Sequence, residues 1–193
     1  MTLDEMIQQC AGDIDETLTK SAAGTYEGEE LSIATKIVTG INYAYQLVAR
    51  EKYVLTEQET VTLDDRGTFN LSGLTRPAVR LLNVYESYGE EADWSLRNES
   101  LLTCRDHAGE QLQVEYAFLP PRMPIGDLAA EPLVPENRVD HLLFCYYANF
   151  YVLSLEPDNE SREKAATFLG LFNSAFDQLQ TRVSQYMTIS VER

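Results

Sequence analysis

The segment from Arg138 to Leu155, RVDHLLFCYYANFYVLSL, constrains the fold more than any other stretch of the chain. Between Leu142 and Leu155 only Asn149 and Ser154 are clearly polar, and Phe144, Tyr146, Tyr147, Phe150 and Tyr151 supply rings of core size. A helix that is apolar on nearly every side must be covered all round, because water would otherwise meet apolar surface. The run is too short to cross a bilayer, which takes about 20 residues. Pro135 and Glu136 precede it at positions suited to a helix start, and Pro157 lies just past its end. It reads as the central post of a helical bundle.

The other helices follow from periodicity. Thr2 and Glu5 have capping-box spacing. Leu3, Ile7, Cys10, Ile14 and Leu18 then mark one apolar stripe, predicting a helix that ends near Lys20. SAAGTYEGEE is a loop, and Glu27, Glu29 and Glu30 put negative charge before the next helix start. Ala34, Ile37, Val38, Ile41, Ala44, Tyr45 and Val48 hold the helical repeat without a slip up to about Glu51. Gly40, inside that helix, costs about 1 kcal/mol relative to Ala and points to a close packing contact. After Pro157, Asp158 or Asn159 caps a last helix, with Ala165, Phe168, Leu169, Phe172, Phe176, Leu179 and Val183 on one face.

Between these helices the period drops to two. Val61 and Leu63, Val79 to Tyr85, Trp94 and Leu96, Leu101 to Arg105, and Leu112 to Phe118 read as five or six short strands. Gly, Asn and Asp turns join them, including Asp106 to Gly109, as in an antiparallel meander or small sandwich. Pro120, Pro121, Pro124, Pro132 and Pro135 make the next stretch a crossover, neither helix nor central strand. The fold class expected is α+β: a bundle of about four helices with an inserted small antiparallel β module. Its divisions fall at 1–57 and 137–186 for the bundle, 58–119 for the β module, 120–136 for the crossover and 187–193 for a tail. In that tail Met187, Ile189 and Val191 alternate with polar residues, a pattern suited to adding a strand.

With 31 acidic and 15 basic side chains the formal charge is −16, which disfavours nucleic acid as a bound ligand. It does not exclude a surface past which DNA must slide. No basic, then apolar, N-terminal run marks a secretory signal. Cys10, Cys104 and Cys145 are far apart and odd in number, which suits buried thiols in a reducing compartment. His107 is expected in a solvated turn. His141 has Cys145 four residues on, half a metal site at best, for which Cys104 would have to supply a third ligand. The acidic groups at Glu27–Glu30, Asp64–Asp65 and Glu90–Asp93 read as solvated faces, without EF-hand spacing. No phosphate-cradle or nucleophile-elbow motif is present, so no catalytic residue, cofactor or metal is assigned. Tyr43, Tyr45, Tyr146, Tyr147 and Tyr151 fall on predicted helices, where core packing and subunit contact are both open readings.

The order of elements adds one further reading. A helix carrying INYAYQLVAREKY precedes a β insertion with VRLLNVYE and VEYAFLPPRMP, and the hairpin HLLFCYYANFYVLSLEPDNESREKAATFLGLFNSAF closes the chain. In this order, over roughly residues 31–180, the chain resembles the head–tail adaptor (connector, or neck) proteins of tailed bacteriophages. The matching positions are Ile41, Asn42, Ala44 and Tyr45, then Tyr116 and Pro120. In the hairpin they are His141 to Leu143, Tyr147, Ala148, Tyr151 and Leu153, then Glu163, Ala166, Phe168, Leu169, Phe172, Ala175 and Phe176.

The resemblance implies a structural virion protein without an active site. Copies would form a homo-oligomeric, dodecameric ring beneath the portal protein ring, joining it to the tail or to stopper or nozzle proteins. DNA would pass through the lumen without specific binding, and no membrane is involved. The protein would be made in the bacterial host cytoplasm and reside in the virion neck. Its C-terminal segment, with Met187, Ile189, Val191 and Arg193, would dock on the portal. A ring around DNA should repel phosphate, which makes Asp64, Asp65, Glu90, Glu91 and Asp93 on the β-module loops candidate channel-lining acids. Two alternatives stand beside this reading: another neck or tail-completion protein, or a glycan-binding or hydrolytic module in the β insertion, hinted at by Trp94 beside Asp93.

Overall fold

Helix α3 (Leu142–Ser154) packs against each of the other three helices, α1 (Leu3–Asp13), α2 (Gly28–Glu51) and α4 (Asn159–Ser190). The computed structural model describes residues 1–190, with side chains as far as Leu179. These four helices and two three-stranded antiparallel sheets make the fold α+β. The chain divides into two compact units, Met1–Tyr53 with Pro120–Arg193, and Val54–Leu119.

In the helical unit, α3 buries Leu143, Phe144, Cys145, Ala148, Asn149, Val152 and Leu153. Leu142, Tyr146, Tyr147, Phe150 and Tyr151 are only half-buried. The post is therefore covered on one side and partly open on the other, where the composition predicted cover all round. It also starts later than Pro135 and Glu136 suggested. The Arg138 and Val139 N–H groups both donate to the Pro135 carbonyl, at 2.9 and 3.1 Å, which spends those residues on a turn. The Leu142 N–H then donates to Asp140 Oδ1 at 3.0 Å.

Helix α1 opens on the expected capping box, with Glu5 N–H donating to Thr2 Oγ1 and Thr2 N–H to Glu5 Oε2. It ends at Asp13, short of Lys20, because Asp15 takes a left-handed φ of +62° that no helix continues through. Leu18 is buried all the same, delivered by the loop instead of the helix. Gly40 on α2 meets α3 as its position suggested. An added Cβ there would lie 2.6 Å from Ala148 Cα.

The Pro-rich crossover is fixed to the helices by polar contacts. Asn42 grips the Met123 backbone from both sides, Nδ2 donating to the carbonyl (2.9 Å) and Oδ1 accepting from N–H (2.7 Å). Tyr45 Oη accepts the Leu133 N–H at 2.7 Å. At the start of α1, where helical N–H groups lack partners, Leu3 and Asp4 donate to the carbonyls of Ala130 and Leu128. Helix α4 begins under Asp158, whose Oδ1 accepts the Ser161 N–H at 2.8 Å, and buries Ala165, Phe172 and Leu179. It continues to Ser190, so Met187 and Ile189 lie on helical backbone where alternation suggested an extended tail. Among the described residues no helix is long and apolar enough to cross a membrane.

The β unit comprises β1 (Leu55–Thr62), β2 (Thr68–Asn70), β3 (Ala78–Tyr85), β4 (Ser95–Arg97), β5 (Leu101–Thr103) and β6 (Gln111–Phe118). The sheets have orders β1-β6-β3 and β2-β5-β4. A meander would pair neighbours in sequence; here the last strand sits at the centre of the first sheet, with Leu55 opposite Phe118 and Thr62 opposite Gln111. Its inward residues Leu112, Val114 and Tyr116 are all but fully buried, as a central strand requires. The first strand starts at Leu55, three residues ahead of position 58. Val61, Leu63, Leu81, Val84, Leu102 and Cys104 join those residues in the core, with Trp94 packed against its edge.

Candidate functional site

The five acids singled out from the sequence lie on turns that are tied together at one end of the β unit. Asp64 organises the first turn. Its Oδ1 accepts from Arg66 N–H (3.0 Å) and Thr68 N–H (2.7 Å), and its Oδ2 from Thr68 Oγ1 (2.7 Å). The Thr68 hydroxyl, followed by the backbone bonds, holds this carboxyl below its ordinary range. Gly67, at φ +71°, completes the turn where a Cβ would lie 2.5 Å from the Cys104 carbonyl oxygen. The Asp64 carbonyl accepts the Gly109 N–H at 3.1 Å, which joins this turn to the segment before β6.

That segment reaches a third turn through His107. This residue lies in a short 3₁₀ turn (Arg105–His107), with Nδ1 2.9 Å from Glu110 and Nε2 3.4 Å from Glu86. The expected solvated histidine is therefore a clasp between two carboxylates, with a side chain only 16% exposed. The Glu110 bond, and then the charges of Glu86, Glu110 and Asp106, raise its pKa against the opposing effect of desolvation. Beyond Glu86 the turn closes through Glu86 N–H to the Glu90 carbonyl, and Glu91 bridges Tyr85. Asp93 is near enough to add to the effect of burial, which pushes the Cys104 thiol up to about 11. Asp64, Asp65, Glu90, Glu91 and Asp93 are all exposed, and none is ion-paired among the described residues. The structure thus puts four of the five on linked turns with no ion pair to their carboxylates among the described residues, while Asp64 serves as a turn anchor and feels the charge of Arg66 beside it.

The tyrosines divide between the two readings left open for them. Tyr45 is core, 1% exposed, while Tyr43 is 54% exposed and stacks on Tyr147 with ring centroids 4.9 Å apart. Burial, then the neighbouring Tyr43, raises the Tyr147 hydroxyl pKa. Tyr147 also meets Phe172 edge-on at 5.0 Å, and Lys52 Nζ lies 4.4 Å over the Phe176 ring.

His141, Cys145 and Cys104 do not form a metal site. Cys104 belongs to the β core. His141 places Nε2 2.8 Å from the Val134 carbonyl and Nδ1 3.2 Å from the Met1 amino group. Cys145 faces Cys10, a pairing that sequence separation hid: Cys10 Sγ lies 3.8 Å from the Cys145 carbonyl, and Cys145 Sγ 3.8 Å from that of Met6. Among the described residues no three His, Cys, Asp or Glu groups converge as a metal would need.

A carboxylate pair also went unforeseen. Glu57 and Glu59 both lie 3.2 Å from the buried Tyr116 hydroxyl. Arg76 Nε lies 3.2 Å from Glu57, and Thr75 N–H donates to Glu59 at 2.9 Å. The alternation in LTEQETVT, which puts both glutamates on one face, was the signal for it. The pair is committed to holding the residues before β3 against β1, and burial pushes the Tyr116 hydroxyl up to about 12.

No protein-family model and no curated protein matches the chain. Of the four residues expected to dock on a portal, Met187 and Ile189 fall within α4, while Val191 and Arg193 lie outside the described residues.

Proposed function

We propose that this protein is a non-catalytic head–tail adaptor of a tailed bacteriophage. It would form a ring beneath the portal in the virion neck and join it to the tail-side proteins, with DNA passing through the ring. The observation that carries the reading is the set of exposed acids, without ion pairs among the described residues, on the linked turns of the β unit. A binding site for phosphate needs clustered cations; a passage for DNA needs a surface that repels the backbone and makes no lasting contact. Asp65, Glu90, Glu91 and Asp93, held outward by turns that Asp64, Gly67 and His107 stabilise, supply such a surface.

The residues behind the resemblance are also explained by this architecture. Asn42 and Tyr45 fix the crossover, and Ala148 takes the close approach of Gly40. They build a scaffold, as an assembly component requires. The test is to mix the protein with the portal ring of the same phage and image the product by electron microscopy. An added annular layer at one end of the portal, lost when residues 184–193 are deleted, is the expected result. A portal that stays bare at every salt concentration refutes the adaptor role.

A further inference from the structure

The fold pairs two of the three buried cysteines. Cys10 on α1 and Cys145 on α3 are 135 residues apart in sequence, yet each sulfur lies against the backbone that carries the other. Cys10 Sγ is 3.8 Å from the Cys145 carbonyl oxygen, and Cys145 Sγ is 3.8 Å from the Met6 carbonyl oxygen, one turn before Cys10 on α1. The two side chains also hydrogen-bond to each other. Contacts on either side of the pair hold α1 in this register. Toward its start the Leu3 and Asp4 N–H groups donate to the Ala130 and Leu128 carbonyls. Toward its end Asn149, one turn beyond Cys145 on α3, donates from Nδ2 to Asp13 Oδ2 at 3.0 Å. Cys104 belongs instead to the core of the β unit.

Neither thiol is activated on its own. Both are fully buried, and desolvation, more than any neighbour, raises the Cys10 thiol pKa, so neither is a lone reactive thiolate. Their chemistry is mutual. A disulfide needs two sulfurs that face each other, and the packing of α1 on α3 supplies that pairing. α1 is only 11 residues long, so its local opening and reclosing gives a small oxidant access to both sulfurs at once. We propose that Cys10 and Cys145 are a disulfide site: two thiols in a reducing compartment, and one bond that locks α1 onto α3 after exposure to a small peroxide. One cysteine thiolate attacks a peroxide oxygen, becoming a sulfenic acid and releasing water. The other sulfur displaces the sulfenic hydroxyl, which leaves with that thiol's proton as a second water. The S–S bond forms, the peroxide O–O bond breaks, and the two electrons lost by the sulfurs reduce the peroxide. This site is independent of the adaptor reading, and neither stands or falls with the other.

The test uses the full-length chain and hydrogen peroxide. After exposure the remaining thiols are alkylated in denaturant, and the intact mass and linked peptides are read by mass spectrometry. The expected product is a monomer with one alkylated thiol, Cys104, and a linked pair of peptides holding Cys10 and Cys145. Because the bond joins residues 135 positions apart, Tm should rise by about 5–10 °C and fall back on reduction. Cys104→Ala should keep that rise, whereas Cys10→Ala and Cys145→Ala, checked for folding by far-UV circular dichroism, should lose it. Three alkylated thiols at every peroxide concentration overturn the proposal. So does a bond through Cys104, a bond between copies, or sulfinic acid at Cys10 or Cys145 in place of the bond. A Cys10–Cys145 bond that leaves Tm unchanged or lowers it overturns the lock.

Discussion

Replacing Gly40 by Ala isolates the closest approach between α2 and α3. By helix propensity alone the change should stabilise the protein by about 1 kcal/mol. The surroundings oppose it. The new Cβ would lie 2.6 Å from Ala148 Cα, 3.2 Å from Ala148 Cβ and 3.3 Å from Tyr151 Cβ. Carbon atoms in contact prefer about 3.5–4.0 Å, so the helices must part by about 1 Å where they cross. Two of the three obstructing atoms are Cβ and one is backbone, so no rotamer change relieves the clash. Overpacking costs about 1–3 kcal/mol, and a backbone obstruction belongs near the top of that range. The net expectation is destabilisation by about 1–2 kcal/mol. Gly170 on α4 is the matched control: it is exposed and helical, and nothing lies within 4 Å of an added Cβ. Gly170→Ala should therefore stabilise by up to about 1 kcal/mol. Urea unfolding followed at 222 nm reads both, as midpoint shifts at unchanged slope. If Gly40→Ala shifts the midpoint upward as Gly170→Ala does, the close crossing is refuted.

Other expectations are as direct. Asn42→Ala leaves the buried Met123 N–H and carbonyl without partners, a loss of about 2–3 kcal/mol in thermal unfolding; a change of a few tenths would mean that the crossover is held by something else. Because the pKa of His107 is raised in the folded state, its contribution is complete below the unfolded value of about 6.5 and is lost as pH rises through the folded value. An NMR titration should show that raised pKa, and His107→Gln should remove this part of the pH dependence of stability. Cys10, Cys104 and Cys145 are buried, with Cys10 and Cys104 thiols raised chiefly by burial, so a thiol reagent at pH 8 should find almost nothing until denaturant exposes all three. Gly67→Ala combines a left-handed φ with a clash against the Cys104 carbonyl and should lower the stability of the β unit by about 2 kcal/mol or more, whereas Gly109→Ala, strained in φ but open in space, should cost less.

Periodicity carried the helices because it reports directly which face is buried. The seven apolar positions read for α2 are all buried, and Gly40 announced its contact by standing where Ala would be cheaper. Helix ends were harder to read. The early stop of α1 depends on a left-handed Asp15, and the late start of α3 on a turn closed by the Pro135 carbonyl, and neither changes the apolar pattern. The strands were legible one by one, but their pairing was not: β6 reaches the centre of its sheet through partners far away in sequence. The same limit hid the His107 clasp, the Cys10–Cys145 pair and the Glu57–Tyr116–Glu59 contact, each made between residues that only the fold brings together. The five acids could be picked out because turns of Asp, Glu and Gly are recognisable locally, though the structural duty of Asp64 could not be.

The pairing of β1 with β6 has a kinetic consequence. These are the strands by which the chain enters and leaves the β unit, and Leu55 lies opposite Phe118. Once this hairpin-like stem zips, everything between Val54 and Leu119 no longer counts as a loop between α2 and the crossover. The stretch left to close between α2 and α3 shrinks roughly fourfold, to little more than the crossover. With a closure term of (3/2)RT ln n, that removes about 1 kcal/mol of entropic opposition to docking α3 on α2. Zipping of this stem thereby brings the two halves of the bundle within reach of each other.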